Sequence, residues 1–133
     1  MGLSCDCRAT AEIANGAIAI GPINVSYSLD IEICPNCGPT GSSVNASFVI
    51  SAPLLPNVNV SFTAVASGIG LPVCDNGVLT VSVDGTLVVG GVSTDVTVSL
   101  EIDSVNQRVC ITGLNLPGIT LPCLAATVVV ESC

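Results

Sequence analysis

Histidine, lysine and tryptophan are absent from this chain of 133 residues, and its aromatics amount to two Phe and one Tyr. Without His or Lys, the commonest general bases and the Schiff-base nucleophile are missing. Ser is plentiful, yet no Gly-x-Ser-x-Gly elbow occurs and a Ser nucleophile would have no His partner. No Gly-rich loop has phosphate-binding spacing, and aromatic stacking platforms are lacking. Neither an enzyme, nor a cofactor, nor a small-molecule substrate is expected. Basic charge is nearly absent as well: Arg8 and Arg108 face ten acids, for a net charge of -8. Phosphate neutralisation needs a basic surface, so nucleic acid is excluded as a partner, and an anionic membrane is disfavoured for the same reason. The acidity reads as a solubility device for an otherwise greasy chain. No apolar run reaches the roughly 18 residues of a spanning helix.

What remains is rich in Val, Ile, Leu and Ala, with Ser, Thr and Asn as the polar complement. Branched aliphatics and hydroxyl side chains suit a pleated, half-buried surface, so the expectation is all-β. The length is that of one domain, or of two small halves sharing one core. Strict alternation supports the strands. Ile23, Val25, Tyr27, Leu29, Ile31 and Ile33 alternate with Asn24, Ser26, Ser28, Asp30 and Glu32. The pattern recurs at Val44, Ala46, Phe48, Ile50 and Ala52, at Val58, Val60, Phe62, Ala64 and Ala66, and at Val96, Val98, Leu100 and Ile102. Asn15-Gly16 and Asp84-Gly85 suit two-residue type I′ hairpins, and Gly21-Pro22, Gly90-Gly91 and the Pro/Gly-rich stretches mark other corners.

The chain also repeats itself. "NGAIAIGPI" at residues 15–23 matches "DGTLVVGGV" at 84–92, and "NVSYSLDIE" from Asn24 matches "DVTVSLEID" from Asp95. "ISAPLLPNVNV" from Ile50 matches "ITGLNLPGITL" from Ile111 in the same order. Two pseudo-repeat halves, about 10–73 and 78–133, are expected to bury their apolar faces on each other as a jelly-roll-like β-sandwich. Residues 1–9 fall outside the repeat and read as a connector arm bearing Cys5 and Cys7.

The remaining chemistry is that of cysteine. Cys5, Cys7, Cys34, Cys37, Cys74, Cys110, Cys123 and Cys133 approach the density of a disulfide scaffold. Cys34-Pro-Asn-Cys37-Gly38 also has the form of half a metal site, so a zinc set of Cys5, Cys7, Cys34 and Cys37 is the alternative to cross-linking. A redox-active Cys-x-x-Cys would want a helix N-terminus, and no helix is expected. Terminal cysteines are poor staples for a closed core and good hooks for a neighbour, so some disulfides are expected to be intermolecular. With no Lys to guard edge strands, assembly by strand augmentation fits. Asp30/Glu32 and Glu101/Asp103 lie two apart on strands and read as solvated faces. The sequons at Asn24, Asn45 and Asn59 read as chance matches in an Asn/Ser-rich chain. No basic segment followed by an apolar run opens the chain, so no ordinary secretory signal is expected. Lipoprotein and myristoylation patterns fail as well.

"MGLSCDC" at residues 1–7, followed by a Val/Thr/Ser-rich β domain, resembles the endospore appendage subunits of spore-forming Firmicutes. The resemblance implies a jelly-roll domain made without a secretion signal. It also implies stacking by β-augmentation and fibres joined through connector disulfides at the spore surface. Hydrophobins also carry eight cysteines, but in a pattern with two adjacent Cys-Cys pairs, and this chain has none. The expected function is thus a homopolymeric structural subunit of an extracellular fibre or spore-surface layer. The alternatives are a monomeric disulfide-stabilised binding or adhesin module and the zinc protein.

Overall fold

A computed structural model describes residues 5–38, 40–114 and 121–133. The strands are β1 (Cys7–Ile20), β2 (Ile23–Ile33), β3 (Ser43–Ser51), β4 (Val58–Val65), β5 (Val73–Asp75), β6 (Val78–Val89), β7 (Val92–Asp103), β8 (Arg108–Thr112), β9 (Leu124–Ala125) and β10 (Thr127–Ser132). Apart from a 3₁₀ turn at Ala66–Gly68, every regular element is a strand. The all-β expectation holds, and its origin is the alternation already visible in the sequence. β2 buries Val25, Tyr27, Leu29, Ile31 and Ile33 and turns its intervening polar residues outward.

All strands join one antiparallel sheet of ten, ordered β10-β1-β2-β3-β4-β6-β7-β8-β9, with β5 beside β6. Apart from β4–β5 and β9–β10, successive strands are neighbours. The long crossovers of a jelly roll therefore do not occur among the described residues, and the fold is a meander that curls on itself. The curl is closed by the C-terminal strand. Its first two residues pair with β8 (Leu124 with Val109, Ala125 with Arg108), and after Ala126 the chain pairs with β1 from Thr127–Glu12 to Ser132–Cys7. One split strand thus joins the two margins of the sheet. β1 approaches β6 and β10 approaches β7, so the barrel is flattened and its two walls share one core. Phe48, Phe62, Ile31, Ile33, Leu79, Leu100 and Ile102 are its largest fully buried side chains.

Two of the three matched sequence blocks fall on corresponding elements, since β1–β2 and β6–β7 are both long hairpins; the third starts at the ends of β3 and β8, and residues 115–120 of its second copy lie outside the described residues. The hairpins do not turn where expected. Asn15-Gly16 and Asp84-Gly85 lie inside β1 and β6, and the reversals come at Gly21-Pro22 and Gly90-Gly91. Gly90 and Gly91 both take positive φ, 56° and 89°, as a type I′ hairpin requires. Gly16 and Gly85 do a different job. A Cβ on Gly16 would come within 2.3 Å of the Tyr27 ring, and one on Gly85 within 2.6 Å of the Phe62 ring and 2.5 Å of the Thr63 carbonyl. Each glycine lets an aromatic ring lie over the backbone, a close approach that interior strand glycines serve.

The space above Gly16 has a further use. The Tyr27 hydroxyl donates to the Ala125 carbonyl at 2.9 Å, tying β2 to the closing strand. The register shift between Ile13 and Gly16 bends β1 at this level.

The N-terminal cysteines do not lie on a free arm. β1 begins at Cys7, and Cys5 and Cys7 are both buried. The Cys5 amide donates to the Cys37 carbonyl at 2.9 Å, so the chain is part of the fold from at least Cys5 onward.

Gly85→Ala is expected to overpack the Phe62 site and cost about 1–3 kcal/mol, read as a lower denaturant midpoint with the spectroscopic signature of the sheet retained. An unchanged midpoint would mean that the ring has room to shift.

Candidate assembly surfaces

The barrel has two unlike ends. One gathers the start of β1, the end of β2, β5 and the end of β10; here the cysteines meet. Cys5 pairs with Cys34, Cys7 with Cys74 and Cys37 with Cys133. The fourth pair, Cys110 with Cys123, staples β8 to the segment leading into β9. Among the described residues no cysteine is free.

The local chain shape makes the cluster possible. Cys34 and Cys37 both take positive φ, 51° and 60°, turning the chain sharply after β2. The Cys37 amide donates to the Cys34 carbonyl at 2.9 Å, and the Cys34 amide to the Ser42 hydroxyl at 2.9 Å. The Cys133 amide donates to the Asp6 carbonyl at 3.0 Å, which brings the last residue beside the first turn of chain. Cys7 points into the core and reaches Cys74 on the opposite wall, so that bridge fastens wall to wall.

Two sequence readings change accordingly. Cys5, Cys7 and Cys133, expected as hooks for a neighbour, are engaged within their own chain. Cys5, Cys7, Cys34 and Cys37, the alternative zinc set, do gather at one end. Each of their sulfurs, however, is bonded to another sulfur, and a metal requires the thiolate. The pairings join residues 29 to 96 positions apart, with no local signal to announce them.

The carboxylates also divide. Asp30, Glu32 and Glu101 are exposed, as expected of solvated faces. Asp103 is buried at the end of β7. It accepts from the Val105 amide at 2.9 Å, the Asn106 amide at 3.0 Å and the Asn106 side chain at 2.9 Å, and Arg108 lies 3.5 Å away. It therefore fastens the β7–β8 turn. The Asn106 side chain, then the turn amides and Arg108, hold its carboxyl below the ordinary aspartate range against the opposing effect of burial. Glu12 and Asp30 stand opposite each other on the outer face, above a groove of about 610 Å³ lined also by Asn45 and Thr127. Among the described residues no group of three or more acids or cysteines is arranged to hold a metal ion.

The other end of the barrel carries the Gly21-Pro22 and Gly90-Gly91 reversals and the loop between β3 and β4. Here the sheet is not closed. β10 covers β1 only as far as Glu12, and β8 covers β7 only from Ser99 onward. Among the described residues, 13–20 of β1 and 92–98 of β7 each have one edge without a strand partner. Neither edge contains Lys or Pro, and Asp95 is the one charge on them. Ala14, Ala17 and Ala19 on the first, and Val92, Ser93 and Thr94 on the second, are exposed. Such edges present unpaired amides and carbonyls to any extended strand that approaches.

Comparison with family models, with curated proteins and with solved structures finds no match for this chain.

Two measurements check the cystine end. Cys37→Ser with Cys133→Ser removes a bridge spanning 96 residues and is expected to cost about 2–5 kcal/mol, with peptide mapping of the parent chain recovering the four pairs. Asp103 contributes stability that is complete above the ordinary aspartate value of about 3.9 and is lost as pH falls through the lower value of the folded state. Asp103→Asn is therefore expected to flatten the acid limb of the stability curve below about pH 4.

Proposed function

We propose that this chain is a structural subunit that assembles with copies of itself, by strand addition, into an extracellular fibre or surface layer. The observation that carries the reading is the pair of margins on β1 and β7 that lack a strand partner among the described residues. Natural proteins commonly blunt such edges with Lys, Pro or cover, and here the first two are absent from both. Addition of a neighbour's strand satisfies the backbone groups and extends the sheet from subunit to subunit.

Four disulfides suit material that must persist in an oxidising setting. A spore surface is such a setting, and the cysteine-bearing N-terminal sequence that resembles appendage subunits favours it. With all eight cysteines paired internally, bonds between subunits enter this reading only through thiol–disulfide exchange started by an external small-molecule thiol, whose thiolate opens a bridge and frees a cysteine to attack a neighbour's. Cys37–Cys133 and Cys110–Cys123, each with one exposed member, are the accessible pairs. The same internal pairing favours a second reading, a monomeric disulfide-stapled β module that binds a partner without polymerising.

Electron microscopy and sedimentation of the oxidised chain separate the two. Filaments or concentration-dependent oligomers support the subunit reading, and a monomer at all concentrations supports the module. Electrophoresis with and without reductant then reports whether exchange has linked the subunits. Ala19→Lys with Thr94→Lys places one ammonium on each open edge. These exposed changes should alter stability by no more than about 0.5 kcal/mol. Assembly should be abolished, and filaments of normal length from this variant would remove strand addition from the reading.

A further inference from the structure

The end of the barrel opposite the cystines carries a feature that the core does not explain. In the loop between β3 and β4, Ser51-Ala-Pro53-Leu54-Leu55-Pro56, two leucines stand in solvent: Leu54 is 105 % exposed and Leu55 66 %. Leu54 takes φ of 63°, in the left-handed region that side chains other than Gly, Asn and Asp rarely occupy. A prolyl residue on each side stiffens the chain, and the Leu55 amide reaches back to the Ala52 carbonyl at 3.4 Å. A leucine in an unfavourable backbone state, held outward on a rigid loop, gains nothing from its own molecule. Single exposed apolar residues are ordinary. A strained, proline-flanked pair of them is a different matter.

The same molecule has a place of matching character. On the outer wall of β1, β2 and β3, Ala17, Ser26, Ser28, Ser47 and Val49 line a shallow hollow of about 360 Å³. None of its lining residues is charged, and apart from Asn15 and Tyr27 their side chains are small or, at Gly16, absent. The volume is at the lower end of the range for small-molecule pockets, roughly 300–1,000 Å³, and suits a pair of aliphatic side chains.

Charge selects the occupant. The chain carries -8, yet no charged residue occurs in 13–29 or in 33–74, the segments that supply both the leucines and the hollow. Elsewhere the acids would bring like charge against like when two copies meet. Glu12 and Asp30 line the groove that adjoins the hollow at Ser28 and Ser47, and the uncharged leucine loop of a second copy sets no carboxylate against them. An anionic membrane is repelled by the net charge, and a basic partner finds no acid at the spike.

We propose that Leu54 and Leu55 of one copy seat in the Ala17–Ser47–Val49 hollow of the next. Because spike and hollow are different surfaces, the contact is heterologous and repeats from copy to copy, which generates an open filament rather than a closed dimer. This inference rests on the self-assembly reading and names one of its contacts.

The test places a photoreactive benzoylphenylalanine at position 54 of the full oxidised chain and mixes it with an isotopically heavy copy. The expected adduct joins residue 54 to a peptide containing 14–28 or 45–49 of the other copy. Leu54→Asp with Leu55→Asp, both at exposed positions and so without effect on the melting curve, is expected to weaken self-association about tenfold or more, the scale of an apolar anchor at an interface. Added salt is expected to strengthen association of the unmodified chain by screening its acids. An adduct within one chain or to another surface overturns the proposal, as does labelling of added phosphatidylcholine vesicles in place of protein. If the unmodified chain assembles and the double aspartate variant assembles equally well, the spike contact falls and strand addition stands. If the unmodified chain never associates, both fall together.

Discussion

Closure of the sheet by a strand that serves both of its margins is the constraint on which the rest of this structure depends. A meander of amphipathic strands has one apolar face and no second layer to cover it. Here the face is covered by curling, and the curl holds because residues 124–125 pair with β8 while 127–132 pair with β1. Tyr27 reinforces the seam from inside by bonding to Ala125, and Gly16 provides the clearance that its ring requires. The bend in β1 follows at the same level. The closing strand is short and the two hairpins are long, so the seam extends only part of the way up the barrel. Closure and the open edges therefore share one cause.

The disulfides lock the end that closure brings together. Three of the four bridges lie there, and each connects chain segments that are distant in sequence and adjacent only because β10 has docked on β1. They constrain the unfolded chain most where the loops they close are longest. Flattening of the barrel places Cys7 within reach of Cys74 across the interior. The molecule is consequently stapled at one end, and at the other its β1 and β7 margins lack strand partners among the described residues.

Much of the wall was legible in the residues. Alternation over β2, β3, β4 and β7 assigned the inward set correctly from Val25 to Ile33 and from Val44 to Ile50, because a half-buried strand imposes period two on its side chains. What failed was nonlocal. Asn15-Gly16 and Asp84-Gly85 carry the local signal of a hairpin, but Tyr27 and Phe62 from neighbouring strands claim those glycines, and a ring on another strand has no local signature. Val128, Val129 and Val130 form an unpatterned run, so the strand that closes the barrel did not announce itself by alternation. The cysteines were recognised as cross-links, but their partners depend on the curl. Cys133, expected to reach outward as a chain-end thiol, meets Cys37 because the last strand returns to the first. Asp103 broke its expected pattern for a similar reason, since the turn that follows offers it three donors.

A strand that joins Thr127 to Glu12 and Ser132 to Cys7 also sets the order of events at the ribosome. Strands β1 to β4 precede residues 127–132 in the chain, so their apolar face has no closing partner until that segment has been made. Contacts of such long sequence separation form slowly. Until residues 127–132 dock on β1, the sheet is an unclosed ribbon with its apolar face bare, and the bridges that depend on that docking have no geometry in which to form.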